Sequence, residues 1–465
     1  MRQVKAPAGR TGSIRRMRPD WLPLLDARIP RYTSYPTAPH FHAGIGPERY
    51  AAWLAAIDPA RPVSLYLHVP YCRRLCWYCA CNTEITREEG PLASFTATVL
   101  REIELIAGHL PTRLSVSQIH FGGGTPTLLR PEQLAAIVEA LRRHFDFRPG
   151  MEFALEIDPR TLSRGMLAMF RQLGVTRASL GVQDLDADVQ RAVNRIQPAE
   201  TVERAVWELR AAGVQGINFD LLYGLPRQSE ATMRTTVERL MRLAPDRIAL
   251  FGYAHVPWMK KHQKALERFG LPDAPARAAL AMAARTALEG AGLEPVGLDH
   301  FAQPDDALAV AARAGRLHRN FQGYTTDAAE TLIGFGPSSI SAFAQGYAQS
   351  APATEAWAAV IDAGRPATLR GIALSADDRL HREVIEAVMC NLAVDLAEVA
   401  LRHGATPERF APELVRLRPL AARGLVEIDG WRISVPPAAR IAVRTVAAVF
   451  DSYLEASAAR HAAAV

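Results

Sequence analysis

Long apolar runs are missing from this chain. No stretch approaches the roughly 20 uninterrupted apolar residues of a membrane span, and the N-terminus carries Arg and Lys without the hydrophobic core of a secretory signal. The sequence therefore predicts a cytoplasmic protein with no membrane partner. Cysteine is scarce, five in 465 residues, yet four of the five fall between Cys72 and Cys81. Disulfide scaffolds spread their cysteines along a short chain, so crowding in a long, cysteine-poor one points to metal or redox chemistry. Cys390 stands alone in the apolar run Val388-Met389-Cys390 and reads as core. A dominant charge is also lacking. The 54 basic residues exceed the 48 acidic ones by a diffuse +6, which reads as a solvated surface and marks no nucleic-acid partner. The exception is the N-terminus, where six Arg or Lys precede the first acid, Asp20. Residues 1–29 are read as a basic, disordered tail.

What the chain does have is apolar substance, 49% of its residues, enough for a main domain with smaller appendages. Short apolar or alternating runs bounded by Gly, Pro or Asp recur between Ser64 and Ala302, separated by helical periodicity. The expected strands are Ser64-Pro70, Ser117-Gly122, Met151-Ile157, Ala178-Val182, Ile217-Tyr223 and Arg247-Tyr253, with Pro295-Asp299 a seventh. A helix is expected over Glu132-Phe147, where Leu134, Ile137, Val138, Leu141 and Phe145 share a face. Repeated strand-helix crossovers give a parallel sheet, either open and doubly wound or a barrel, and both put active sites at the strands' C-terminal ends. From about Asp377 the pattern turns helical. Asp429-Gly430 then joins Leu425-Ile428 to Trp431-Val435 as a hairpin. Helices followed by a two-stranded wing would suit a DNA binder, but no basic recognition helix accompanies them.

The run Tyr66-Leu-His-Val-Pro-Tyr-Cys72-Arg-Arg-Leu-Cys76-Trp-Tyr-Cys79-Ala-Cys81 follows the first expected strand. Three thiolates spaced CxxxCxxC can converge on an iron-sulfur cluster and leave one iron open to a small molecule. Zinc is the alternative, but structural zinc usually takes two paired knuckles well apart in sequence. His68, four residues before Cys72, reads either as a hydrogen-bonded strand residue or as a neighbour of the cluster. The run Phe121-Gly122-Gly123-Gly124-Thr125-Pro126-Thr127 ends the second expected strand. Its bare backbone can approach the carboxylate and ammonium of an amino-acid ligand.

Together these two motifs resemble the radical S-adenosylmethionine superfamily. Pro30-Arg31-Tyr32-Thr33-Ser34-Tyr35-Pro36-Thr37, Glu156-Ile-Asp-Pro-Arg160, Asp220-Leu-Leu-Tyr-Gly-Leu-Pro226, Asp299-His-Phe-Ala302 and Gln322-Gly-Tyr-Thr-Thr326 look like one family within it, the oxygen-independent coproporphyrinogen III oxidases. The resemblance runs from about Pro30 to Leu454. It implies an α/β fold, a partial (β/α) barrel with a smaller, mostly helical C-terminal domain. The expected layout is an N-terminal segment over 30–60, the barrel and its extension over 61–370, and the C-terminal domain with its hairpin over 371–465.

The resemblance also implies an oxidoreductase that decarboxylates two propionates of coproporphyrinogen III to vinyl groups in porphyrin and haem biosynthesis. The cofactors would be one [4Fe-4S] cluster and S-adenosylmethionine, in two molecules. Cys72, Cys76 and Cys79 would bind the cluster, and Cys81 would match a fourth family cysteine in the catalytic set. Tyr66, Tyr78, Gly123, Gly124 and Thr125 would contact the first S-adenosylmethionine, with Glu156, Gln183, Arg195, Asp220 and Ala254 around it. Gln322 and Ile340 would touch the second. Arg31 is a candidate for a substrate carboxylate. An unidentified electron donor and acceptor would complete a monomeric enzyme. A related haem chaperone is the rival reading, and a radical enzyme acting on intact haem a third. The chaperone's His-Asn-based haem motif is replaced here by Arg319-Asn320-Phe321-Gln322-Gly323-Tyr324.

Overall fold

A computed structural model describes residues 18–454. Twelve strands form one sheet: β1 Val63–Val69, β2 Leu114–Gly123, β3 Phe145–Ile157, β4 Arg177–Gln183, β5 Gly216–Tyr223, β6 Arg247–Gly252, β7 Glu294–Val296, β8 His300–Ala302, β9 Thr331–Phe335, β10 Ile340–Phe343, β11 Gly346–Ser350 and β12 Thr368–Ala373. Their spatial order is β12-β11-β10-β9-β1-β2-β3-β4-β5-β6-β8-β7. The seven strands from β9 through β1 to β6 run parallel, and both flanks are antiparallel. The sheet keeps two edges, so the barrel is partial. Side chains at the ends of β2, β3, β4, β5 and β6 nonetheless share one cavity, which a flat sheet would hold too far apart.

The six main strands match the expected runs closely, because a strand buried on both faces reads as a continuous apolar segment, as in β1, where six of seven residues are buried, and a half-buried one as an alternating segment, as in β4. Three expectations are corrected. The helix over Glu132-Phe147 is Pro131–His144, and Phe145 instead opens β3, where it is buried and pairs with Leu114. The seventh strand is shorter, Glu294–Val296, and reaches the sheet only through antiparallel β8. The flank β9–β12 was not foreseen, since Gly334, Gly336, Gly346 and Gly371 thin its apolar pattern, and β9 returns to pair beside β1.

The C-terminal region begins with helix Ala376–Asn391, whose capping box is Ser375 with Asp378. The expected hairpin is there as Glu427–Asp429 and Arg432–Ser434, turning at Gly430 with φ +56°, and it gains a third short strand, Ala393–Asp395. One continuous apolar core runs from Trp21 through the sheet to Phe450, so this region is packed into the same core as the barrel. Cys390 is buried, as expected.

Of the expected tail over 1–29, residues 1–17 lie outside the described residues. Residues 18–29 are folded against the rest of the chain, because the large apolar Trp21 is buried and its Nε1 donates to the Arg423 carbonyl at 3.0 Å. The following segment, Ile29 to Tyr35, is a strap between the sheet and the C-terminal region. Arg444 donates to the carbonyls of Ile29 and Pro30, Tyr32 to Asp451 at 3.0 Å, and Tyr35 lies 2.9 Å from the Ser452 hydroxyl. No helix among the described residues is long and apolar enough to cross a membrane.

Candidate active site

The loop after β1 carries Cys72, Cys76, Cys79 and Cys81 into a cavity of about 320 Å³ at the C-terminal ends of the parallel strands. Cys76 is buried, Cys72 and Cys79 are half-buried, and Cys81 is exposed. Beyond a short strand, Tyr71–Cys72, paired with Glu84–Ile85, the loop lacks regular structure, so neighbours hold it through its backbone. Trp77 N–H donates to the Val193 carbonyl at 3.0 Å, and Asn194 Nδ2 to the Leu75 carbonyl at 2.8 Å. From the other side Gln263 Nε2 binds the Tyr78 carbonyl at 2.9 Å, His262 Nε2 the Cys79 carbonyl at 2.8 Å, and Lys260 Nζ the Cys81 carbonyl at 2.7 Å.

Cys72 Sγ lies 3.4 Å from the Thr125 hydroxyl. Burial pushes its thiol up to about 11, whereas the hydrogen bond with Cys81 draws Cys79 down to about 6 and drives Cys81 upward. Two guanidiniums face Cys76 Sγ, Arg195 Nη1 at 3.6 Å and Arg160 Nη2 at 4.0 Å, both tethered to Asp158 Oδ2 at 3.3 and 2.6 Å. Burial would raise the Asp158 carboxyl, but Arg195 and Arg160 outweigh it and hold it ionised. Among the described residues, no three His, Cys, Asp or Glu side chains converge tightly enough for a single metal ion. Three thiols spread on one cavity wall, with cationic donors aimed at a sulfur, instead fit a larger anionic iron-sulfur cluster.

The turn after β2 lines the same cavity and packs directly against the start of the cysteine loop. Gly123 adopts φ +109°, and a Cβ there would fall 2.6 Å from the His68 ring; at Gly124 it would fall 2.5 Å from the Tyr71 carbonyl oxygen. Only glycine fits this approach. Gly123 N–H donates to Glu156 Oε2 at 3.0 Å, and His120 Nε2 lies 3.2 Å from Oε1. Burial opposes charge on Glu156, but His120 and the Gly123 amide prevail and lower it. Asp220 accepts from Ser179 and Asn218, each at 2.9 Å, yet burial and the nearby Glu156 push it up to about 7. A bare backbone beside carboxylates suits a ligand with ammonium and hydroxyl groups.

Tyr78, Gly123, Gly124, Thr125, Glu156, Gln183, Arg195, Asp220 and Ala254 all line this cavity with the four cysteines and Arg31. Three expected site residues do not. Tyr66 lies further back in β1, its hydroxyl 3.0 Å from His68 Nδ1 and its ring stacked on His120. Gln322 lines a side cavity of about 140 Å³ that shares Glu156, Ser179, Asp220 and Phe251 with the main one. Ile340 packs beside Phe321 on the apolar cluster of Phe41, Tyr347, Ile372 and Leu374. His68 is buried and binds the Asn82 carbonyl through Nε2 at 2.9 Å, so it props the cysteine loop. Sequence reasoning missed His120, Asp158, Arg160, Asn194 and Gln263. His120 directly precedes the Phe121–Thr127 glycine run, and Asp158 and Arg160 lie within the quoted Glu156–Arg160 segment, a usable signal, whereas nothing local ties Asn194 or Gln263 to the cysteines.

Comparison with known proteins agrees with this geometry. Residues 66–240 match the Radical SAM superfamily and residues 374–441 the HemN C-terminal domain. The oxygen-independent coproporphyrinogen III oxidase of Bradyrhizobium diazoefficiens is 49% identical over 95% of this chain and 98% of its own length. That of Pseudomonas aeruginosa is 38% identical over 94% and 95%. The solved structure of Escherichia coli HemN, described as a coproporphyrinogen III oxidase and a radical SAM enzyme, superposes with a TM-score of 0.87 at 37% identity, covering 92% of this chain and all of that one. The cofactors are accordingly a [4Fe-4S] cluster and S-adenosylmethionine, and the chain belongs to the oxygen-independent coproporphyrinogen III oxidases of the radical SAM superfamily.

Proposed function

We propose that this protein oxidatively decarboxylates two propionates of coproporphyrinogen III to vinyl groups without oxygen, giving protoporphyrinogen IX in haem biosynthesis. What carries the reading is the near full-length identity to named oxidases, which includes the C-terminal region and the strap as well as the cysteine motif. In this reading Cys72, Cys76 and Cys79 hold the cluster and Cys81 stays off it. When bound, the cluster and S-adenosylmethionine supply a one-electron reductive cleavage whose 5'-deoxyadenosyl radical takes hydrogen from the propionate carbon next to the ring.

The chain's own residues do the positioning. Gly123 and Gly124 leave room for the ligand's amino-acid end, and Glu156 and Asp220 accept hydrogen bonds from its ammonium or hydroxyls. Arg195 and Arg160 aim donors at the Cys76 sulfur, while Tyr78, Thr125, Gln183 and Ala254 complete the walls. A second S-adenosylmethionine, matching two decarboxylations per product, sits in the side cavity at Gln322. As each carboxyl leaves as carbon dioxide, one electron passes to an external acceptor.

The test is anaerobic incubation of reconstituted, dithionite-reduced protein with S-adenosylmethionine, coproporphyrinogen III and an electron acceptor. Two vinyl groups appearing with 5'-deoxyadenosine are expected. Deoxyadenosine without decarboxylation, or neither product alongside an intact cluster and tight haem binding, would overturn the assignment. Cys72→Ser, Cys76→Ser and Cys79→Ser should each abolish visible cluster absorbance and S-adenosylmethionine cleavage.

A further inference from the structure

Beside the main cavity lies a smaller one, about 60 Å³, lined by five arginines and a single acid, Asp299. The arginines come from distant places: Arg31 from the strap, Arg277 and Arg285 from helix Ala274–Gly290, Arg319 from the short strand His318–Asn320 and Arg444 from helix Val443–Ala447. Arg285 is paired with Glu289 at 2.7 Å on its own helix. Asp299 is engaged by His300 Nδ1 at 2.7 Å.

Two of the other guanidiniums bond to backbone carbonyls. Arg31 donates to the Gly252 carbonyl at 2.9 Å and Arg319 to the Arg31 carbonyl at 3.3 Å. Nitrogen atoms of two of them, Nε of Arg277 and both Nε and Nη1 of Arg319, are buried without a hydrogen-bond partner among the described residues. Burial, with repulsion from neighbouring guanidiniums, lowers Arg31 and Arg277 and brings Arg444 down to about 10, whereas Tyr324 and Asp299 outweigh burial at Arg319 and raise it. Several guanidiniums around one carboxylate are costly to bury unless a further anion joins them.

We propose that this arginine cavity anchors a propionate carboxylate of the substrate that the reaction leaves in place, with Arg277 and Arg319 as its forked donors. The inference rests on the porphyrinogen reading above. Coproporphyrinogen III carries four propionates and loses the carboxyls of two, so the surviving pair needs cations away from the site of hydrogen removal. The arginine cavity shares Arg31, Phe251, Gly252 and Ala254 with the main cavity, so a ligand seated there can extend one arm across this shared wall. The space suits a carboxylate on a short chain and excludes a ring. Planar guanidinium forks match carboxylates in geometry as well as charge.

The test compares reconstituted wild type with Arg277→Gln, Arg319→Gln and Arg319→Lys, each checked for cluster absorbance as evidence of folding. The KM for coproporphyrinogen III is measured alongside quenching of protein fluorescence by coproporphyrin III and by its tetramethyl ester. Each Gln variant should raise KM and the coproporphyrin Kd about tenfold or more, the range for a lost charge-assisted hydrogen bond. Arg319→Lys should recover part of the loss, and the ester should bind wild type and variants alike. Unchanged KM in both Gln variants, or an ester that binds wild type as tightly as the acid, would overturn the anchor while leaving the decarboxylase reading intact. Wild type that converts no coproporphyrinogen III would overturn both.

Discussion

Asp220 is a carboxyl kept partly protonated near neutrality, because burial first and then the charge on Glu156 push it up to about 7 from 3.8. The folded state therefore holds a proton that the unfolded chain has released between about pH 4 and 7. Stability falls as pH rises through that window and the loss levels off above it. Asp220→Asn removes the term, so in the absence of ligands its Tm relative to wild type should rise between pH 5 and pH 8 by differential scanning fluorimetry. A pH-independent difference would show that Asp220 is ionised throughout. The glycine turn gives a steric prediction at the same scale. In Gly124→Ala the new methyl meets the Tyr71 backbone, costing about 1–3 kcal/mol and displacing the strand that carries Cys72. Iron per reconstituted chain should drop well below wild type.

Among the elements, the segment from Tyr253 to Phe269 acts as a clamp on the cysteine loop. Gln263 is fully buried, donates to the carbonyls of Tyr78 and Ala254 at 2.9 and 3.2 Å, and accepts from Val256 N–H at 2.6 Å. Gln263→Leu leaves these backbone groups unpaired, at a cost of about 2–4 kcal/mol. A lower Tm and faster loss of cluster absorbance in air are expected, and wild-type cluster lifetime would show that the clamp is dispensable. The clamp also marks where sequence reading stops. The cysteines and glycines were legible because their chemistry is written in adjacent residues, and β1–β6 because their apolar residues run continuously, as in β1, or alternate, as in β4. Gln263 carries no local mark of its tie to the cysteine loop, since Tyr78 lies 185 residues earlier. Phe145 was misplaced because it fits a helical stripe and a strand equally well until β2 is there to pair with it.

For the whole molecule, the continuous core from Trp21 to Phe450 means that the region after Ser375 and the barrel should unfold together. Calorimetry of the full chain without ligands should show one transition, and a fragment ending at residue 375 should fail to fold to a well-dispersed monomer. A stable, cooperative fragment would establish two independent domains. The arginine cavity was invisible in sequence for the same reason that the molecule is one unit, because its arginines are 31, 277, 285, 319 and 444 and only the finished fold gathers them. Only Arg31 and Arg319 stood in segments that the sequence singled out.

The strap has a consequence for how the protein is made. Tyr32 and Tyr35 leave the ribosome 419 and 417 residues ahead of their partners Asp451 and Ser452. The parallel strands and the cysteine loop can assemble while synthesis continues, and Arg31 can already reach the Gly252 carbonyl, but the strap's bonds to Arg444, Asp451 and Ser452 form only once those residues have been made. Until then the strap is held over the cavity by the barrel alone, a period in which iron and sulfide can reach the thiols before the entrance narrows.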